Sequence, residues 1–131
     1  IIEGGADGSS DTTGSFESST MFANSSAAFN NFTANITKPA GTDIQMQIAV
    51  AQAPPPGTSC DGATYTFLGP NGNSTAYFTP NGETITGQVP FGSFSPSYQN
   101  PAQCFRYRAY FSTDDSSFTP YLNDITVNYS Q

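Results

Sequence analysis

Two of the three cationic side chains in this chain lie beside an aromatic residue. Arg106, Arg108 and Tyr110 occupy alternate positions, so they share one face if the segment is a β-strand. Guanidinium groups bind carboxylates through paired hydrogen bonds, and an aromatic ring can stack on a sugar. These three residues are therefore a candidate contact site for a ligand or a partner protein. The alternative is that the arginines pair with Asp124 or with another acid on a neighbouring strand.

Residue types that support catalysis are scarce. The chain has no histidine, so an activated serine would need Lys38 as its base. Lys38 precedes Pro39, where a solvated lysine in a turn is the simpler interpretation. Glycoside hydrolysis needs two carboxylates in a cleft, but most of the ten acids lie in predicted turns or in the N-terminal tail. We therefore expect that the protein is not an enzyme.

Calcium is the one metal for which the sequence offers ligands, because loops can supply the oxygen atoms that it binds. Asp114 and Asp115 are adjacent in a predicted loop. No helix–loop–helix calcium pattern accompanies them, so solvated loop carboxylates are the alternative. No other cofactor is expected.

Cys60 and Cys104 are the only cysteines. They lack the close spacing of a redox or zinc motif, which predicts one disulfide; two free buried thiols are the alternative. A disulfide is typical of an oxidising compartment, so we expect an extracellular or cell-surface location. No apolar run approaches the roughly 20 residues of a membrane span.

Five Asn-X-Ser/Thr sequons are candidate glycosylation sites. They begin at Asn24, Asn31, Asn35, Asn73 and Asn128. In the predicted strands, Asn31, Asn35 and Asn128 fall on the solvent face, where glycans would leave the core undisturbed. Polar residues that simply occupy a wet face are an equal alternative.

The net charge of −7 limits the partners. A phosphate backbone is bound by clustered lysine and arginine, so nucleic acid is not an expected partner. Attraction to an anionic membrane surface is not expected for the same reason.

Short strands must position these residues. The chain contains 11 Phe, 7 Tyr, 12 Gly and 10 Pro, a composition that favours strands separated by turns. Alternating apolar positions predict eight strands in a sandwich or barrel. Their ranges are 15–22, 29–37, 43–52, 63–68, 75–79, 83–89, 104–112 and 122–129.

The remaining segments are predicted as a tail and loops. Residues 1–13 are predicted to be a polar N-terminal tail, and residues 14–131 a β-sandwich domain. A long loop is predicted from Pro90 to Gln103. Its aromatic residues Phe91, Phe94 and Tyr98 would either fold back as a lid or form a protein-contact patch.

The alternation also identifies the core-facing side of four strands. The inward residues are Phe32, Ala34 and Ile36; Ile44, Met46, Ile48 and Val50; Phe105, Tyr107, Ala109 and Phe111; and Ile125, Val127 and Tyr129. The opposite sides, which include Gln45, Gln47 and Ala49, are predicted to face water.

The last two predicted strands carry a family resemblance. The stretches FRYRAYFSTDD (105–115) and TPYLNDITVNY (119–129), with the earlier YTFLGPNG (65–72) and YFT (77–79), resemble the discoidin- or lectin-like jelly-roll modules of bacterial and archaeal surface proteins. The resemblance covers residues 14–129 and implies an antiparallel jelly-roll-like β-sandwich of about eight strands. Related modules on enzymes and adhesins bind glycans or act as spacers. This chain lacks Trp, the residue that such modules most often use to stack sugars.

A looser resemblance concerns filaments. A small acidic β domain with one disulfide is similar to the globular subunit of a bacterial pilus-type filament whose helical stalk comes from another chain. We therefore expect a non-catalytic extracellular structural or adhesive protein that contacts copies of itself or a helical stalk partner. The alternative is a carbohydrate-binding module detached from a larger secreted enzyme, with glycans as its ligands.

Overall fold

Eight strands make up most of the computed structural model, which describes residues 13–114 and 117–131. The strands are β1 (Thr13–Glu17), β2 (Met21–Thr37), β3 (Thr42–Ala51), β4 (Thr84–Gln88), β5 (Gly92–Ser95), β6 (Tyr98–Asn100), β7 (Ala102–Thr113) and β8 (Tyr121–Ser130). All their pairings are antiparallel. The all-β antiparallel class is confirmed, whereas the jelly-roll topology stays a prediction.

The 17-residue strand β2 joins the two layers of the sandwich. Its first part pairs with β7, which also pairs with β1 and β3, and these strands form the first sheet. Its second part lies between β8 and β4 and forms the second sheet with them. The pairing of β2 with β7 is interrupted between Phe22 and Ala27, where the strand passes from one sheet to the other.

The core lies between these sheets and follows the predicted alternation in β2 and β3. The largest fully buried side chains include Phe29, Phe32, Ile44, Met46 and Ile48. Burial of each such side chain contributes roughly 1.5–3 kcal/mol. In β2, Asn30 is an extra residue, because Phe29 pairs with Tyr129 and Asn31 pairs with Asn128. This bulge keeps both Phe29 and Phe32 directed into the core.

Two predicted strands are wrong. Residues 63–68 and 75–79 form an irregular segment, and only single bridges join it to β3, at Leu68 with Ile48 and at Phe78 with Met46. The short 3-10 turn Pro70–Gly72 lies between these bridges. The segment folds back tightly on itself, since a Cβ on Gly69 would lie 2.0 Å from the carbonyl oxygen of Ala76. We call residues 63–78 the covering segment.

The covering segment also explains why one face of β3 was predicted wrongly. Gln47 and Ala49 were expected to face water, but both are buried. The Gln47 Nε2 donates to the carbonyls of Ser74 and Ala76 at 2.9 and 2.8 Å. These bonds satisfy the buried amide and hold the segment against β3.

Other differences concern strand ends and aromatic residues. The predicted strand 15–22 is divided, since β1 ends at Glu17 and β2 begins at Met21. The predicted loop from Pro90 to Gln103 contains the β5–β6 hairpin and the start of β7. Tyr129 is 47% exposed rather than buried, although its ring lies 5.6 Å from that of Phe29. The predicted tail 1–13 lies outside the described residues, except for Thr13 in β1.

The predicted disulfide is present between Cys60 and Cys104. Its Cα atoms are 6.0 Å apart, within the ordinary range. Cys104 is fully buried on β7, so the bond ties the irregular region after β3 directly to the core.

Candidate functional site

The arginines of β7 pair with Glu17, not with Asp124. The antiparallel register of β1 and β7 sets Glu17 opposite Arg108. One carboxylate oxygen lies 2.7 Å from Arg106 Nη1 and the other lies 2.7 Å from Arg108 Nη2. The hydrogen bond from Arg108, with the contribution of Arg106, keeps the pKa of Glu17 below its ordinary value despite burial. A single acid therefore balances one of the two positive charges on this face.

Aromatic rings of the covering segment lie on the two guanidinium groups. Arg106 Cζ is 4.4 Å from the ring centre of Tyr65, and Arg108 Cζ is 4.1 Å from that of Phe67. Both contacts are within cation–π distance. Arg108 Nη1 also donates to the Tyr110 hydroxyl, which in turn donates to Gln47 Oε1. The structure thus brings Arg106, Arg108 and Tyr110 together, but their hydrogen-bond donors are used by other residues of the same chain. These contacts hold the covering segment against the first sheet.

The predicted calcium site is described only in part. Asp115 lies outside the described residues, and the backbone N–H of Asp114 donates to the Gly41 carbonyl at 2.8 Å. Within residues 13–114 and 117–131, no group of three or more His, Cys, Asp or Glu is arranged to hold a metal ion. Calcium binding stays a prediction.

All five sequon asparagines are exposed. Asn31, Asn35 and Asn128 lie on the outer face of the second sheet, as the alternation predicted. There Asn128 Nδ2 donates to Asn31 Oδ1 at 2.6 Å, and Asn35 Nδ2 donates to Asp124 Oδ1 at 2.7 Å. Asp124 is therefore engaged by an amide of the neighbouring strand rather than by an arginine.

One side of the sandwich remains open between β1 and β8. In the described part of the chain, β1 pairs only with β7 and β8 pairs only with β2. The cleft between them has a volume of about 270 Å³. Its main apolar lining residues are Phe16, Met21, Phe105, Tyr107, Ile125 and Val127. We call this region the open side.

The register shows which backbone groups of β8 face the open side. Val89 N donates to the Asn30 carbonyl and Ile36 N donates to the Glu83 carbonyl, so the even-numbered residues of β2 bond to β4. Since hydrogen-bonded pairs alternate in antiparallel sheets, the odd-numbered residues of β2 bond to β8. Asn31, Thr33 and Asn35 pair with Asn128, Thr126 and Asp124. The N–H and C=O groups of Ile125 and Val127, which lie between these residues, therefore point away from β2.

A second surface feature is a groove beside β4, which we call the aromatic groove. It has a volume of about 510 Å³, and its edge carries Phe91 and Phe94, which are 58% and 44% exposed. Tyr98, by contrast, is fully buried. The groove also presents the polar side chains of Asn71, Thr86 and Gln88. None of the described residues that line it carries a charge.

The interior offers no polar group to a ligand. In residues 13–114 and 117–131, every buried side-chain nitrogen and oxygen has a hydrogen-bond partner. The features available for binding are therefore at the surface. They include the open side, the aromatic groove, the sequon asparagines and a cleft of about 420 Å³ lined by residues of β1, β3 and β7. The sequence predicted the inward side chains of Ile125 and Val127 and the aromatic residues of the groove. It gave no signal that the edge of β8 would be left unpaired.

Comparison with protein-family models, curated proteins and solved structures finds no significant match to this chain. The resemblances to jelly-roll surface modules and to pilus-type subunits therefore stay predictions. In the described ranges, no helix has the length and apolar character needed to cross a bilayer.

Proposed function

We propose that this chain is a non-catalytic extracellular structural or adhesive domain that joins other protein subunits of a surface filament through its open side. The observation that carries the proposal is the edge of β8, a ten-residue strand that pairs on one side only. The disulfide supports the extracellular location, because such bonds persist in oxidising compartments.

A long unpaired edge is a template for another strand. Natural proteins protect such edges with charges, prolines or a covering loop. On β8 the one charged side chain, Asp124, bonds to Asn35 on the outer face and does not enter the open side. An extended segment of another subunit would bond to the backbone of Ile125 and Val127 and cover the apolar cleft.

The charge of the domain sets the conditions for such contacts. Copies with a net charge of −7 repel one another. Salt screens this repulsion, with a Debye length of about 10 Å at 0.1 M and about 3 Å at 1 M. Contacts between copies should therefore strengthen as the salt concentration rises.

Substitution of Val127 tests the role of the open side. We expect Val127→Lys to weaken self-association at least about tenfold, or about 1.4 kcal/mol, because it places a charge in the cleft. The matched control is Thr126→Lys, which adds the same charge on the outer face of the same strand. Sedimentation velocity of the disulfide-bonded protein at low and high salt measures the association.

Three results would contradict the proposal. A wild-type protein that stays monomeric at all concentrations and salt levels shows no self-association through this surface. An equal loss of self-association in both lysine variants would mean that net charge, not the open side, controls assembly. If both lysine variants associated as strongly as the wild-type protein, assembly would use another surface.

The aromatic groove favours a second candidate function, the carbohydrate-binding module. Exposed rings stack on the apolar faces of sugars, and amide and hydroxyl side chains bond to sugar hydroxyls. The charge-free lining of the groove and the acidic protein around it favour a neutral saccharide over an anionic one.

The groove can be tested with neutral and anionic polysaccharides in affinity electrophoresis. If the domain binds sugars here, Phe91→Ala should bind a neutral polysaccharide about tenfold more weakly, because it removes the most exposed ring. Phe118→Ala is the control, since Phe118 is 51% exposed but lies outside the groove. Absence of wild-type binding to every neutral polysaccharide, or equal loss in both variants, would exclude the groove as the sugar site.

A further inference from the structure

The five sequons differ in how the folded domain presents them. Transfer of a glycan requires that the asparagine Nδ2 and the hydroxyl two residues later reach a transferase together. The tripeptide must therefore be exposed and free of sheet pairing.

Two sequons in β2 fail this requirement. Their middle residues, Phe32 and Ile36, are 1% and 2% exposed and belong to the core. The backbone of this part of β2 pairs with β4 on one side and β8 on the other. Asn31 and Asn35 therefore cannot enter an enzyme active site unless the second sheet opens.

The sequons at Asn128 and Asn24 are less restricted by sheet pairing than those at Asn31 and Asn35, but hydrogen bonds still hold them. Asn128 lies in β8 and its Nδ2 donates to Asn31. Asn24 lies in the interrupted part of β2, where Gln103 donates to its carbonyl and Gln131 donates to the carbonyl and hydroxyl of Ser25. Both asparagines lie within strands, Asn24 in β2 and Asn128 in β8, and Asn128 already uses its Nδ2 in a hydrogen bond.

The sequon Asn73-Ser74-Thr75 satisfies the requirement. All three residues are exposed, and they lie outside the eight strands, in the covering segment. Asn73 Oδ1 accepts hydrogen bonds from the backbone N–H and the hydroxyl of Thr75 at 2.9 and 2.8 Å. The carboxamide and the sequon hydroxyl are thus already adjacent, and neither bond uses Nδ2. The backbone of this sequon is also held, because Gly69 N donates to the Asn73 carbonyl and Gln47 Nε2 donates to the Ser74 carbonyl, both at 2.9 Å. What distinguishes it from the other sequons is that its reacting side chains are exposed, adjacent and outside the strands.

We propose that Asn73 is the N-glycosylation site of the folded domain. The donor is an oligosaccharide linked to a polyprenyl diphosphate, and an oligosaccharyltransferase catalyses the step. Asn73 Nδ2 forms a bond to C1 of the first sugar while the bond from C1 to the diphosphate oxygen breaks. The diphosphate leaves with the electron pair, and the amide nitrogen gives one proton to a base of the enzyme.

The position of Asn73 is compatible with assembly through β8. The covering segment adjoins β3, whereas the open side lies between β1 and β8. Asn73 follows Gly72, which packs beneath the ring of Phe94, so a glycan here would adjoin the aromatic groove. The glycan would leave the β8 edge accessible.

The test uses the folded, disulfide-bonded protein with a purified oligosaccharyltransferase that accepts any Asn-X-Ser/Thr sequon, together with its lipid-linked oligosaccharide. Intact mass counts the glycans and peptide mapping locates them. We expect one glycan, at Asn73, which both Asn73→Gln and Thr75→Ala abolish and which the control Asn35→Gln retains. Reduced and denatured protein should accept glycans at the strand sequons as well, because the sheet no longer holds them.

Two outcomes would overturn the proposal. One is an unmodified folded protein in a reaction that glycosylates a flexible acceptor peptide added to the same tube. The other is greater occupancy at Asn24, Asn31, Asn35 or Asn128 than at Asn73 in the folded protein.

Discussion

Reduction of the Cys60–Cys104 disulfide is expected to lower the free energy of unfolding by about 4 kcal/mol in the chain-entropy description. The bond joins residues 44 positions apart, so it restricts a large loop of the unfolded chain. A second contribution comes from the fold, because the bond attaches the region after β3 to the buried Cys104. Urea unfolding of the oxidised and reduced protein, followed by circular dichroism, measures the difference.

The variant carrying both Cys60→Ala and Cys104→Ala is the control for the reductant. Its unfolding midpoint should be low and should not change when reductant is added. An oxidised wild-type protein that unfolds at the same urea concentration with and without reductant would contradict the role given to the disulfide.

Replacement of Asn100 by alanine is expected to lower the free energy of unfolding by about 3 kcal/mol. Asn100 is 2% exposed, and its side chain accepts from the N–H of Phe29 at 3.0 Å and donates to the carbonyl of Phe29 at 2.9 Å. It also donates to the carbonyl of Pro90. Alanine would leave the two backbone groups of Phe29 buried without these partners, at about 1–3 kcal/mol each. The urea midpoint of Asn100→Ala measures the loss.

Asn35→Ala provides the comparison at an exposed position. Asn35 makes its side-chain bond to Asp124 at the surface, so its replacement should change stability by no more than about 0.5 kcal/mol. If the two alanine variants unfolded at the same urea concentration, the buried hydrogen bonds of Asn100 would not contribute as described.

The regular strands could be predicted because their residues alternate. Ile44, Met46 and Ile48 in β3 and Phe105, Ala109 and Phe111 in β7 are buried as their spacing indicates. The disulfide followed from the presence of two cysteines without metal-binding or redox spacing. These features depend on residues close together in sequence or on simple counting.

The covering segment could not be predicted for a physical reason. Residues such as Tyr65, Phe67 and Phe78 have strand propensity, but their contacts are tertiary: Tyr65 and Phe67 cover two arginines of β7, and Phe78 packs edge-on against Phe32 at 5.0 Å. Local propensity is a weak guide where such packing decides the conformation.

For the candidate sites as well, the sequence predicts which residues are local neighbours but not which distant residues they contact. The sequence identified Arg106, Arg108 and Tyr110 as neighbours on one face, and the structure brings them together. Their partner Glu17 lies about ninety positions away in the chain, and only the pairing of β1 with β7 makes the contact. The open side likewise depends on which strands become edges, and the alternation of apolar residues does not specify this.

In the described residues, every buried polar side-chain atom has a hydrogen-bond partner, and Arg106 and Arg108 share the single acid Glu17. The unpaired β8 edge and the aromatic groove remain available to partners. A filament subunit needs a stable core and at least one surface for assembly, and we propose the open side of the disulfide-bonded sandwich as that surface. Asn73 and the groove lie on the side that such assembly would leave exposed.

Hydrogen exchange of the β8 amides in dilute and in assembled protein measures whether the open side is the surface of assembly. We expect the amides of Ile125 and Val127 to exchange rapidly in the monomer and to become protected on assembly. The outward amides of Thr86 and Gln88 on the other edge strand, β4, should remain unchanged. Protection that appears at β4, or assembly that leaves Ile125 and Val127 as exchangeable as before, would contradict the account.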